Sequence, residues 1–345
     1  MDGPKISIGT DPELVFAKNG KLICAADVLT RPGGEFGLDG HKFIAELRPK
    51  PAISPRDLVE SIRKILQTEA SNLSAYTWHA GAWIFDKPLG GHIHFGVPSS
   101  DNIVDALDHQ FAIALALIEP QKEAQTRRTT TFPGARDQRP YGLLSDVRDK
   151  PHGFEYRTPS SFIVSPGVSL GILALAKAVV YEEVVGGSCA WSNLPKHTRD
   201  ELTFDKEDFY NCNKEIFRTR EVKLWELISN MKYFAKGEEG RNLWSSVSFL
   251  KNKVAKNLGF LSKSDIKEKW KLLFKEKSLE EQSGLIADYY NQITIPTNHP
   301  LFWRDRYVDT VQPQIPPTQG VNTNVINLDF GLPNVDPDFI WGMVP

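Results

Sequence analysis

Cysteine is scarce in this chain. Cys24, Cys189 and Cys212 are the three among 345 residues, far apart and without a C-x-x-C pair. That spacing excludes a disulfide framework and a cysteine-based zinc site, and it leaves each as a small buried side chain in a reducing compartment. Net charge is nearly absent as well: 41 Lys and Arg stand against 43 Asp and Glu, a formal −2. Such a balance argues against electrostatic nucleic-acid binding as the main activity. No apolar run is long enough for a membrane. The longest, residues 168–180 (VSLGILALAKAVV), is interrupted by Lys177 and falls short of the roughly 20 residues a span takes, so it predicts a buried helix. The N-terminus MDGPKISIGT lacks the charged-then-apolar pattern of a secretory signal, and the expected location is the cytoplasm. A Walker loop is missing too, because Gly33 and Gly34 in TRPGGEFG lack the Gly-Lys-Ser/Thr ending that such a loop needs.

What is present is a soluble globular composition, 41% hydrophobic and 24% charged, which excludes disordered and fibrous classes. From residue 5 to about 165 short β-type runs alternate with Gly and Pro and with two helical interludes. Residues 55–70 place Leu58, Ile62, Ile65 and Leu66 at helical spacing behind Ser54 as N-cap and Pro55 at the first helical position. Residues 101–118 repeat the arrangement with Asp101 as the expected cap. Strand, helix, strand, helix is an α+β or α/β rhythm. Beyond residue 200 the texture turns to Lys/Glu-rich helical patterns, clearest at 215–231 and 264–277, and the interleaved acids Asp265, Glu268 and Glu276 make the Lys-rich stretch 251–277 a solvated face. The expected organisation is a core over 1–200, a helical appendage over 201–310, and an extended tail over 311–345 whose Phe339, Ile340 and Trp341 dock on the body.

The strongest signal comes from four segments in which polar groups stand two apart. In a strand, residues i and i+2 share a face. TDPELVF puts Asp11 and Glu13 on one side; FIAELRP does so with Glu46 and Arg48, GGHIHFG with His92 and His94, and HGFEYRTP with Glu155 and Arg157. A merely solvated face favours Lys, Ser, Thr and Gln. Here the residues are Asp, Glu, His and Arg, flanked by glycines that admit close backbone approach. Clustered titratable groups of this kind mark a site.

Glutamates with one or two imidazoles make a hard, oxygen-rich site for a divalent metal, magnesium or manganese when phosphate oxygens complete the shell. Arg48 and Arg157, joined by Arg128 and Arg148 as further candidates, supply planar donors for a polyphosphate or a transferring phosphoryl group. Asp11 reads equally as a turn residue before Pro12, and the Arg127–Arg128 pair reads first as exposed surface.

These motifs, GTDPELVF, ELRP at 46–49, GGHIHFG at 90–96 and FEYRTPSSF at 154–162, in this order resemble the phage-type carboxylate–amine ligases (amidoligases), relatives of glutamate–cysteine ligase and glutamine synthetase. The resemblance covers about residues 5–180. It implies an α+β fold with a curved, mostly antiparallel sheet, helices on its outer face, and ATP with magnesium or manganese on the concave face. It also implies an acyl phosphate that an amine attacks, with small-molecule or peptide carboxylate and amine substrates, in a host cytoplasm if the chain is phage-encoded. By matched position Glu13, Glu46, Glu155 and one of His92 or His94 are similar to metal ligands. Arg157 resembles the phosphate or acyl-phosphate clamp, and Arg48 is a second candidate. The proton from the amine goes to Glu155, Asp146 or a histidine; nothing in the sequence selects among them. Two rival readings stand beside this one. A cupin-like metal oxygenase or isomerase also uses a His-x-His pair followed by Glu, with His152 as a third histidine. A non-catalytic binding or virion-associated protein could use the same fold without its chemistry.

Overall fold

The computed structural model describes residues 3–29, 33–131, 139–235, 237–256 and 265–272, and every one of them belongs to a single compact unit. The expected tail 311–345 and residues 273–310 of the expected appendage lie outside the described residues. Ten strands are described: β1 (Ile8–Lys18), β2 (Lys21–Ile23), β3 (Phe36–Leu38), β4 (Ala45–Leu47), β5 (Thr77–His79), β6 (Trp83–Ile84), β7 (Lys87–Pro88), β8 (Gly91–Phe95), β9 (Val147–Lys150) and β10 (Gly153–Tyr156). The helices are α1 (Ala25–Val28), α2 (Pro55–Asn72), α3 (Asp101–Ala106), α4 (Ala112–Ile118), α5 (Gln121–Thr129), α6 (Pro166–Val184), α7 (Lys196–Leu202), α8 (Lys206–Tyr210), α9 (Lys214–Ser229), α10 (Gly237–Ala255) and α11 (Ile266–Lys269). A π-helical stretch, Leu107–Phe111, joins α3 to α4.

The fold is α+β. Its main sheet has eight strands in the order β3-β4-β1-β8-β10-β9, with β2 and β5 also paired to β1, and every pairing is antiparallel. The long strand β1 organises it. Residues Ile8 to Pro12 pair with β8, whereas only Glu13 and Leu14 pair with β4. Proline explains the change of partner: Ile8 N–H points to Ala52 O and Glu13 N–H to Gly90 O, so the even-numbered residues face the β4 side, where Pro12 has no N–H to give.

One face of the sheet is apolar. Leu14 and Phe16 of β1, Ile93 and Phe95 of β8, and Phe154 and Tyr156 of β10 are wholly buried, and the Phe95 and Phe154 rings stack at 5.1 Å. Helices α2, α3 and α6 pack over this core. Helix α2 begins as the sequence predicts, with Ser54 Oγ accepting from Arg56 N–H at 3.2 Å and Pro55 in its first turn. The second interlude departs by one residue. Its cap is Ser100, which accepts from Ile103 N–H at 3.3 Å, while Asp101 is the first helical residue, where its charge favours the positive end of the helix dipole. Helix α6 contains the apolar stretch and is buried from Pro166 to Glu182. Lys177 within it bonds Ile53 O, and burial pushes its amine down to about 8.

The helices beyond residue 200 share this core: α9 packs on α4, and α10 on α6. The Lys-rich segment is not purely a solvated face, since Lys267 is buried and donates to Ser74 O at 3.1 Å. Asp265 accepts from Trp78 N–H, and Trp270 Nε1 donates to Ile163 O, so α11 is fastened to β5 and to the chain entering α6. Where α10 crosses α6, a Cβ on Gly171 would stand 2.6 Å from Leu250 Cγ and 2.8 Å from Ser246 O. Gly171→Val should therefore lower stability by about 1–3 kcal/mol through overpacking, measurable as a shift in the denaturant midpoint; an unchanged midpoint would show that this helix pair does not contribute to the core.

Candidate active site

The other face of the sheet collects the polar residues, and the strand register explains how. Asp11 lies opposite His92, His94 opposite Glu155, Glu13 opposite Glu46, and Glu155 opposite Arg148. All four sequence segments thus contribute to one sheet and one face. Further along β1, Val15 belongs to a small apolar cluster with Ile44, Ile84 and Leu89, to which the β6–β7 hairpin contributes Ile84.

Toward one end of this face carboxylates alternate with imidazoles and cations. His92 Nδ1 lies 3.2 Å from Asp11 Oδ1 and 3.4 Å from Glu155 Oε1, and His94 Nε2 lies 3.2 Å from Asp11 Oδ2. Glu155 is ringed by cations: Lys150 Nζ at 2.7 Å, Arg157 Nε at 3.2 Å and the exposed Arg148 Nη1 at 3.5 Å. Arg157 also reaches Asp146 at 3.6 Å. Burial works to raise the Asp11 carboxyl, yet His92 and His94 outweigh it and hold the group well below the usual carboxylate range. Glu155 is likewise held low, because Lys150 and His92 overcome its burial.

The other end is carboxylate-rich. Glu13 is wholly buried; its Oε2 accepts from Gly90 N–H and its Oε1 from the Tyr141 hydroxyl, both at 2.7 Å. Burial and the nearby Asp39 push its carboxyl well above the ordinary value. Burial likewise raises Asp39. Glu46 is pushed up to about 8 by burial and by Asp11 and Asp39, although it also contacts Arg48. Arg48 itself is turned to the backbone, donating to Leu38 O at 2.6 Å and Gly34 O at 3.3 Å.

The family model for phage phiEco32-like COOH.NH2 ligase-type 2 matches residues 8–272. The chain belongs to this family of carboxylate–amine ligases. The match runs well past residue 180, where recognisable motifs stop. Among solved structures the ligase is similar to a complex of the prokaryotic ubiquitin-like protein Pup with its ligase PafA, at 10% identity and TM-score 0.48 over 83% of this chain and 69% of that one. It is similar to a bifunctional glutathione synthetase from Pasteurella multocida at 13% identity and TM-score 0.45, over 81% and 49%. A glutamine synthase homolog aligns at 14% identity and TM-score 0.35, over 77% and 70%. No curated protein matches the chain.

In the ligase the residues expected at the site are brought together with one exception. Glu13, Glu46, His92, His94, Glu155, Arg48, Arg148 and Arg157 share the polar face or its rim. Asp11 sits in the strand, facing the imidazoles rather than serving as a turn residue. Its ligand atoms with those of His92 and Glu155 lie within 4.8 Å of one another, and two carboxylates with one imidazole suit a hard divalent ion. The exception is Arg128. Both it and Arg127 are buried rather than exposed. Arg128 pairs with Glu119, donates to Phe209 O at 3.2 Å and lies 3.7 Å over the Phe209 ring, so its guanidinium is consumed inside the fold.

Three residues of the site escape the sequence reading. Lys150 carries the same two-apart signal, with Arg148 in VRDK, on a strand only four residues long. Asp39, in GLDGHKF, looks like any turn aspartate, and Tyr141, in RPYGLL, has no periodic context.

Two predictions follow from these environments. The Glu46 carboxyl is raised from 4.5 to about 8 in the folded protein, so ionising it opposes folding: its contribution is complete below the ordinary value and lost as pH rises toward the folded one. Metal-free Glu46→Gln should match the wild type in urea unfolding near about pH 5 and exceed it near about pH 9; equal curves at both would contradict the buried-carboxyl assignment. Arg128→Ala strands buried Glu119 and should cost about 3–5 kcal/mol, whereas Arg148→Ala should change stability by about 0.5 kcal/mol or less. Calorimetry distinguishes the two, and comparable losses would refute the contrast.

Proposed function

We propose that the chain is an ATP-dependent ligase that joins a carboxylate to an amine through an acyl phosphate. One observation supports the reading: in a chain of the carboxylate–amine ligase family, carboxylates, imidazoles, guanidiniums and an ammonium converge on a single sheet face. Asp11, His92 and Glu155 would hold a magnesium or manganese ion, with Glu13, Glu46 and His94 around them. Such an ion, when bound, neutralises phosphate oxygens.

The chain's own residues supply position and charge. Arg157, Lys150 and Arg148, fanned around Glu155, would donate to the transferring phosphoryl group, and Arg48 lies at the opposite side beside Glu46. A substrate carboxylate oxygen bonds to the γ-phosphorus as the bond to ADP breaks. The amine nitrogen then bonds to the acyl carbon, phosphate leaves, and the amine proton passes to a base. Glu155 is held ionised by its neighbours, which makes it a poor proton acceptor; Asp146, beside Arg157, and the histidines are the other candidates. The oxygenase alternative calls for a barrel and a histidine-rich centre. Among the described residues the sheet path is open from β3 to β9, and the Asp11–His92–Glu155 group contains one imidazole.

The test is thermal unfolding with and without magnesium and ATP. At about 100 times the dissociation constant, binding should add about 2.7 kcal/mol. The gain should need magnesium and should vanish in Glu46→Gln and Glu155→Gln. No gain in the wild type, with a stable larger complex instead, would favour the non-catalytic binding reading; a gain retained by both variants would move the nucleotide off this face.

A further inference from the structure

We infer that Tyr141 is a positioning residue: it holds Nε2 of His92, so that Nδ1 is the atom His92 presents to a divalent cation. The inference rests on the metal-site reading given above and deepens it. An imidazole offers either nitrogen to a metal, and the one it uses is decided by what holds the other. In a two-histidine strand such as GGHIHFG the sequence leaves that choice open.

The geometry closes it. The Tyr141 hydroxyl contacts His92 Nε2 and donates to Glu13 Oε1 at 2.7 Å. The opposite nitrogen, Nδ1, faces Asp11 Oδ1 at 3.2 Å and Glu155 Oε1 at 3.4 Å, the two carboxylates whose atoms complete the three-residue group. Among the described residues no hydroxyl holds His94 in this way; its Nε2 lies against Asp11 and its ring stacks on His152 at 6.0 Å. A single phenol thus ties the carboxylate-rich end of the face to the imidazole and aims the ring.

The surroundings are arranged to keep Tyr141 there. The wholly buried Arg127 lies 4.7 Å from the centre of its ring and donates to Thr158 O at 2.9 Å and Pro159 O at 3.0 Å, which anchors it to the chain leaving β10. Tyr141 N–H in turn donates to Arg127 O at 3.1 Å. Gly142 follows with φ at +82° and passes so close to Arg127 that a Cβ would lie 1.8 Å from Nη1. Gly90 supplies an independent observation. A Cβ there would lie 2.6 Å from both His92 Nε2 and the Tyr141 hydroxyl, so the chain leaves room where those two groups meet.

Tyr141→Phe removes the hydroxyl and keeps the ring against Arg127. Manganese titration by calorimetry on the full chain should show affinity about 10–100-fold weaker than the wild type, the range expected when a partner of a ligating histidine is lost. Gly90→Ala should reproduce the loss with Tyr141 intact. Heteronuclear NMR of isotopically labelled protein loaded with cadmium reads the ligating atom directly. Coupling to Nδ1 of His92 in the wild type, weakened or divided between both nitrogens in Tyr141→Phe, supports the inference. Coupling to Nε2, or manganese affinity unchanged in Tyr141→Phe, overturns it and leaves the metal reading standing. Failure of the wild type to bind manganese at all overturns both.

Discussion

The structure is organised around the cost of placing five carboxylates, Asp11, Glu13, Asp39, Glu46 and Glu155, on one partly buried face. Like charges at such spacing in a poorly hydrated setting cannot all stay ionised unless something compensates them. The fold answers in two ways. At the β10–β9 edge it brings Lys150, Arg148 and Arg157 around Glu155 and two imidazoles against Asp11. At the β4 end it lets the carboxyls take up protons and ties Glu13 to a backbone N–H and a phenol.

A face under this electrostatic load needs a rigid support, and the buried polar residues outside the site provide one. Asp108, in the π-helical stretch, accepts from Ser145 N–H, Ser145 Oγ and the Tyr156 hydroxyl, which fixes both the segment leading to Asp146 and the strand that carries Glu155. Glu119 accepts from Ser160 and pairs with Arg128, while Arg127 bonds the carbonyls of Thr158 and Pro159. These groups grip the chain immediately after β10 from two directions. The carboxylates and guanidiniums of these networks lock the chain on both sides of the site, and the arrangement they define is the position of Glu155 and Arg157.

How much of this was legible follows from which signals are local. Alternation along a strand is local, so the four segments carrying Asp11, Glu13, Glu46, His92, His94, Glu155 and Arg157 could be read, and their common face follows from pairing in one sheet. Helix α2 was legible for the same reason, through its periodicity and its cap. Arg128 could not be resolved this way: whether an arginine next to another arginine lies in water or pairs with Glu119 depends on where α5 packs. Tyr141 and Asp39 reach the site from loops by tertiary contact, and a loop residue carries no period. Lys150 did carry one, across Arg148-Asp149-Lys150, but four residues are too few to tell a strand from a charged turn.

The two ends of the face differ in protonation as well as in composition, and this bears on chemistry. Asp11 and Glu155 are held below the ordinary carboxylate range by the cations and imidazoles beside them, whereas Glu13, Asp39 and Glu46 are held above it by burial and mutual repulsion. Environments that push like groups apart in this manner separate charge-binding roles from proton-handling roles. The ionised end attracts positive charge at any physiological pH. At the raised end Glu46, pushed to about 8, can exchange a proton near neutrality. Tyr141, bonded to Glu13 and in contact with His92, joins the two ends, which also act on each other directly through space, since Asp11 and Glu155 help to raise Glu46.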